Sequence, residues 1–246
     1  MFIDFHTHLD FYKDDEIEKV IEDIENNNIQ VINCSTNIEK YNQNINTFSS
    51  KNIINTFGIH PWEVKDNKYD IDILEELIMK TPMIGEIGLD FFWEEDKSTY
   101  HNQIKVLESI LEINKKYNKY INIHTKGAEE LVCKLLNKYK ISERTIIHWY
   151  SGDYDTLKKL IDMKCYFTCS VDIRYSEKTR QIINMIDKEK LLAETDGPTA
   201  LEWVNGNYAM PSEIIDVYKN ICDVKNIELD DFRYNCKKTL KEMIYI

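Results

Sequence analysis

Eight apolar, β-branched runs alternate along the chain with charged segments of helical periodicity, and this rhythm narrows the fold more than any other feature. The runs fall at residues 2–8, 29–35, 53–60, 83–90, 120–125, 145–150, 165–170 and 190–196, each with strand composition. Between them, 15–27, 71–80, 98–117, 129–139, 155–163 and 177–186 carry apolar residues at helical spacing; Ile17, Val20, Ile21 and Ile24 mark one such face. Pro211 opens a further helical region, and another runs over 229–244. Strands alternating with helices feed right-handed βαβ units and a mostly parallel sheet. Eight of them in 246 residues predict an α/β fold, a (β/α)8 TIM barrel. An open doubly wound sheet is the structural alternative, but no G-x-G-x-x-G follows the first strand to mark its dinucleotide site. No Pro/Gly/Ser-rich linker or low-complexity tract interrupts the rhythm, so residues 1–246 are expected to form a single domain.

A barrel makes a further forecast: catalytic side chains stand at the C-terminal ends of several strands, far apart in sequence. His6 and His8 close the first run, two residues apart and therefore on one face of a strand. Glu86 lies in Gly85-Glu-Ile-Gly-Leu-Asp90, His124 closes the fifth run, His148 the sixth and Asp196 the last. Most of these follow apolar stretches, where an isolated charge is costly to bury. Any one of them reads equally well as a cap or a solvated loop residue, but together they make a metal site. Four histidines and two carboxylates exceed the ligand set of one catalytic zinc, which takes about three plus water. Six ligands suit two divalent ions sharing a bridging group; one ion with spare polar residues is the alternative. Imidazole favours Zn, Mn, Fe or Ni over Mg, although availability can override that preference.

Composition limits the partners. The net charge of −12 argues against broad electrostatic adhesion to nucleic acid, but carboxylate-held cations can reverse the field inside a cleft, so a phosphate substrate stays open. Six cysteines without C-x-x-C spacing fit a reducing compartment, and no secretory leader or membrane span is evident, so a cytoplasmic protein without membrane contact is expected.

The motifs Asp4-Phe-His-Thr-His-Leu-Asp10, Gly58-Ile-His-Pro61, Gly85-Glu-Ile-Gly-Leu-Asp90, Ile123-His124, Ile147-His148 and Glu194-Thr-Asp196 stand in an order that resembles the TatD-type metal-dependent hydrolases, the TatD deoxyribonucleases of the amidohydrolase-like barrels. The resemblance spans essentially the whole chain. It implies a TIM barrel with two divalent ions and metal-assisted hydrolysis of phosphodiesters, mostly in DNA. By it, His6, His8, Glu86 and Asp196 hold one ion, and Glu86, His124 and His148 the second, with Glu86 bridging. Asp196 also orients or deprotonates the attacking water. His60 is similar to a family histidine at the substrate phosphate, although a loop or core histidine is its plainer reading. Glu194 and Asp90 are expected to fix ligand orientation, and Asp4 to be structural.

The chain departs from the family in its loops. The family's usual arginine after the fifth-strand histidine is replaced by Lys126, a point charge without a bidentate fork. His148-Trp-Tyr-Ser-Gly152 and Gly197-Pro-Thr-Ala200 are further variants, and Trp149 joins His60 and Lys126 as a candidate substrate residue. Trp62, Phe91, Phe92, Trp93, Trp149, Tyr150, Trp203 and Tyr208 offer stacking surfaces for single strands or DNA ends, unless they simply pack the rim. The expectation is therefore a divalent-metal-dependent deoxyribonuclease. Alternatives are hydrolysis of another ester or amide bond, such as an aminoacyl ester, and a weakly active subunit with protein partners in an anti-phage defence complex, which the loop after His148 resembles. Histidinol-phosphatase-like barrels share the His-x-His opening, but not the Gly-Glu-Ile-Gly and Glu-Thr-Asp motifs.

Overall fold

The computed structural model describes residues 1–64 and 69–244; the last two residues of the expected domain lie outside them. The strands are β1 (Phe2–Thr7), β2 (Ile29–Cys34), β3 (Ile53–Thr56), β4 (Ile84–Gly88), β5 (Ile121–His124), β6 (Thr145–Ile147), β7 (Tyr166–Cys169) and β8 (Leu191–Ala193). The helices are α1 (Ile17–Asn26), α2 (Ile38–Thr47), α3 (Ile71–Lys80), α4 (Tyr100–Tyr117), α5 (Glu129–Tyr139), α6 (Tyr154–Asp162), α7 (Glu177–Met185), α8 (Thr199–Asn205), α9 (Ile214–Lys225) and α10 (Leu229–Ile244). None of the described helices is long and apolar enough to cross a membrane.

Every expected strand is present, and every one stops earlier than its apolar run. The candidate ligands cause part of this. Trp149, just after His148, has φ 35°, and Asp196 has φ 46°, so the backbone turns left-handed and leaves the ladder where the polar side chains must point elsewhere. Helix α2 was not expected. Its buried residues are Tyr41 and Asn44, with Phe48 buried just past its end, and the polar Asn44 hides the apolar period. Helix starts follow local chemistry: Asp70 accepts from Asp72 and Ile73 N–H at α3, and Asp153 from Asp155 and Thr156 N–H at α6.

The chain forms two compact units. The first comprises Met1–Cys34, Asn42–Asn55 and Phe167–Ile246. Here β1 runs parallel to β2, with Phe2 opposite Ile29, and β7 runs parallel to β8, with Phe167 opposite Leu191. The segment after β8 is tied to β1: Asp196 N–H donates to His6 O, and His8 N–H to Gly197 O, both at 3.0 Å. Tyr218 of α9 is fully buried, its hydroxyl donating to Ile3 O at 3.0 Å, and its ring packs against Phe232 of α10.

The second unit comprises Ser35–Tyr41 and Thr56–Tyr166. Strands β4, β5 and β6 pair in parallel, Ile84 opposite Ile121 and Ile121 opposite Thr145. The chain after β3 runs beside β4, with Gly85 N–H donating to Phe57 O at 2.8 Å. Strand β4 is buried along its whole length, as parallel strands covered on both faces are. Two glycines permit this packing. A Cβ on Gly58 would lie 2.1 Å from Glu86 O, and one on Gly88, whose φ is 150°, 2.0 Å from His124 O.

Gly58 therefore sets the position of the Glu86 backbone. Gly58→Ala should destabilise the chain by about 3 kcal/mol, since overpacking against backbone has no side chain to move aside. Calorimetric unfolding checks it; an unchanged melting midpoint would show that the approach of the two segments is looser than described.

Candidate metal centre

In the first unit β1 carries His6 at 0% exposure and delivers His8, at 4%, immediately beyond its end. Their Nε2 atoms are 3.1 Å apart, with ring planes at 78°. On the far side of His8, Nδ1 lies 2.8 Å from the carbonyl oxygen of Cys34. A carbonyl only accepts, so Nδ1 holds the proton and the neutral ring turns a lone pair out through Nε2. Phe11 stacks on the same ring, centroids 4.7 Å apart. Asp196 Oδ1 lies 3.7 Å from His6 Nε2 and 3.6 Å from His8 Nε2. Donors held tetrahedrally at zinc-like bond lengths are about 3.3 Å apart, so these two imidazoles and one carboxylate are spaced to hold a cation.

Asp4 ties this set together. It is fully buried, its Oδ2 accepts from the Thr195 hydroxyl at 2.6 Å, and its Oδ1 accepts from Thr195 N–H at 3.1 Å and His6 N–H at 3.2 Å. Burial pushes its carboxyl up, the hydrogen bonds pull it back, and the balance is about 7. One side chain thus sets the spacing between the strand bearing His6 and the loop bearing Asp196, the structural part expected for it. Glu194 is fully buried next to Thr195.

In the second unit Glu86 is 2% exposed on β4. Its Oε1 lies 3.1 Å from His124 Nδ1, 3.6 Å from His60 Nε2 and 3.8 Å from His148 Nε2. Glu86, His124 and His60 are grouped closely enough to hold a cation, with His148 at the edge. Hydrogen bonding separates their chemistry. His124 Nε2 donates to Asp90 Oδ2 at 3.0 Å, which leaves Nδ1 to face Glu86. His60 is the reverse case: its Nδ1 accepts from Trp62 N–H at 3.2 Å, so the neutral ring carries its proton on Nε2. His60 therefore faces the site as a donor, unlike a ligand.

Asp90 is the partner the sequence suggested. Burial pushes it up, but His124 and the backbone N–H groups of Phe92 and Trp93 outweigh this and hold it at about 2. Burial pulls His124 down, yet the hydrogen bonds and charges of Asp90 and Glu86 push it up to about 9. A cation at Nδ1 takes the place of a proton there.

Lys126 donates to Ser151 Oγ at 2.8 Å. Trp149 follows His148, ring centroids 6.3 Å apart. Tyr150 differs from the expected rim aromatic: it is 4% exposed and its hydroxyl donates to Asp153 O, so it packs and caps. Sequence reasoning missed Thr195, Gln103, whose amide oxygen accepts from Asp90 N–H at 2.9 Å, and the Cys34 carbonyl. A carbonyl carries no sequence signal at all.

Comparison with known proteins places the chain in a family. The family model for TatD-related DNases matches residues 3–244. An uncharacterized metal-dependent hydrolase of Haemophilus influenzae is 25% identical over 244 residues, covering 92% of each chain. Among solved structures, the TatD homologue YjjV of Escherichia coli superposes with a TM-score of 0.89 at 20% identity, over 100% of this chain and 98% of that one. A TatD family hydrolase of Entamoeba histolytica gives 0.81 at 21% identity, over 99% and 98%. The fold class read from the sequence, an amidohydrolase-like α/β barrel, is that of these relatives. The donor sets and the family match lead to one conclusion: the chain belongs to the TatD-related DNase family and is a metal-dependent hydrolase.

Proposed function

We propose that the chain is a deoxyribonuclease that hydrolyses phosphodiester bonds with two divalent ions. The observation that carries this reading is the presence of two sets of imidazole and carboxylate donors, buried except for the part-exposed His124. His6, His8 and Asp196 form one, and Glu86, His124 and His148 the other. When bound, such ions polarise a phosphoryl oxygen and make water a nucleophile at neutral pH. The chain's own groups supply the rest. Asp196 accepts the proton of the attacking water. His60, its proton on Nε2, donates a hydrogen bond to a phosphate oxygen, and the Lys126 ammonium neutralises a second phosphate charge as a point charge. Asp90 keeps the His124 ring in place throughout. A cytoplasmic location goes with this reading, because the six cysteines are buried and lack C-x-x-C spacing.

End-labelled oligonucleotides with Mn²⁺, Mg²⁺ or Zn²⁺ test the activity. Asp196→Asn should lower kcat about 10²- to 10⁴-fold without altering the fold; cleavage at the unaltered rate would remove Asp196 from its role. Chelation should abolish cleavage, and reconstitution should restore it at about two ions per chain by elemental analysis. Full activity in metal-free protein would overturn the reading. Turnover of aminoacyl esters with no cleavage of any nucleic acid would transfer the same machinery to carbonyl chemistry.

The two histidine types give a separate test. His60→Ala should raise KM about 10-fold, the worth of a hydrogen bond to a charged group, while bound metal stays the same. Loss of an ion in His60→Ala would instead make it a ligand.

A further inference from the structure

Three aromatic residues follow Asp90 in the second unit, and the fold uses them in two ways. Phe91 stacks on Tyr100, centroids 4.1 Å apart and planes 18° from parallel, and the Tyr100 hydroxyl donates to Phe91 O at 3.1 Å. Phe91 is thereby packing. Phe92 and Trp93 are each 61% exposed and meet edge to face, centroids 4.8 Å apart. Two adjacent large aromatics held in water in this way point to a binding surface.

Their backbone cannot fold back to bury them. Asp90 Oδ1 accepts the N–H of Phe92 at 2.9 Å and of Trp93 at 2.7 Å. The other oxygen of the same carboxylate pairs with His124. The ammonium of Lys126 lies 5.3 Å from the Phe92 ring centroid and 5.9 Å from that of Trp93. The Lys126 segment is held there by Phe91 N–H, which donates to Lys126 O at 2.8 Å. Gly127, with φ 70°, allows the close approach: a Cβ there would lie 3.1 Å from Phe92 N.

The geometry points to Phe92 and Trp93, with Lys126, as a platform on which unpaired bases of a single nucleic-acid strand stack while the ammonium takes the adjoining phosphate. The inference rests on the phosphodiesterase reading for its substrate class. Ring faces with one cation match the alternation of base and phosphate along a strand. A duplex fits poorly, since its bases already stack on both faces. With a net charge of −12 the chain has no general attraction for polyanions, so a local ammonium and stacking must supply the affinity.

The test is fluorescence anisotropy on the full, metal-loaded chain, with a labelled single strand and an abasic strand of equal length and charge, both phosphorothioate-linked to suppress cleavage. The unaltered chain should bind the intact strand about 10-fold more tightly than the abasic one. The double variant Phe92→Ala/Trp93→Ala should bind both strands alike, and Trp93→Phe should retain most of the preference. Equal affinity of the unaltered chain for the two strands would overturn the platform, as would a preference that survives in the double variant. Both rings are exposed, so the variants should fold, and the intact-to-abasic comparison stands without them. Cleavage of unmodified strands is assayed separately. A chain that prefers intact strands yet cleaves neither keeps the platform and loses the nuclease; one that cleaves both and binds both alike keeps the nuclease and loses the platform.

Discussion

Behind His8 a backbone carbonyl accepts a hydrogen bond from Nδ1, behind His124 the Asp90 carboxylate accepts one from Nε2, and behind His60 a backbone N–H donates to Nδ1. These rear hydrogen bonds are what each donor set depends on. An imidazole has two nitrogens, and fixing one settles what the other offers. Three chemically identical side chains thereby become distinct groups: His8 offers a lone pair at Nε2, His124 turns toward Glu86 an Nδ1 whose proton a cation would replace, and His60 is a proton donor. The buried surroundings make the arrangement stringent, because a polar group left without its hydrogen bond there costs far more than it would at the surface.

The strands were legible because parallel strands buried on both faces are written as continuous apolar runs, and the candidate ligands were legible because they interrupt those runs. His6, Glu86, His124, His148 and Asp196 each stand out against isoleucine and leucine. Strand ends were not legible. They depend on backbone angles such as φ 46° at Asp196, and a non-glycine residue gives no warning of a left-handed turn. Helix α2 was hidden by Asn44 on its buried face. The groups that orient the ligands were harder still. Thr195 is small and uncharged, and its partner Asp4 is 191 positions away, so neither pattern nor spacing connects them.

The departures from family pattern are confined to loops beyond the strands, while the donor sets are complete. Lys126 stands where the family usually carries a fork-shaped arginine, a point charge set beside aromatic rings in place of paired directional donors. Asp90 touches both regions at once. One oxygen serves a candidate ligand and the other the loop of exposed aromatics, so the chemistry of the site and its outer surface share a single carboxylate.

The two units differ in how they draw on the chain. The second is almost unbroken from Thr56 to Tyr166, whereas the first joins Met1–Cys34 to Phe167–Ile246. On a ribosome the second unit has all its strands in hand while the first still waits for more than its final third. His6 and His8 are made at the outset, yet Asp4 meets Thr195, and Ile3 meets Tyr218, only after the last strand has emerged. The candidate ligands that are translated first are therefore completed last, and closing the chain over that span carries an entropy cost that local helix formation does not.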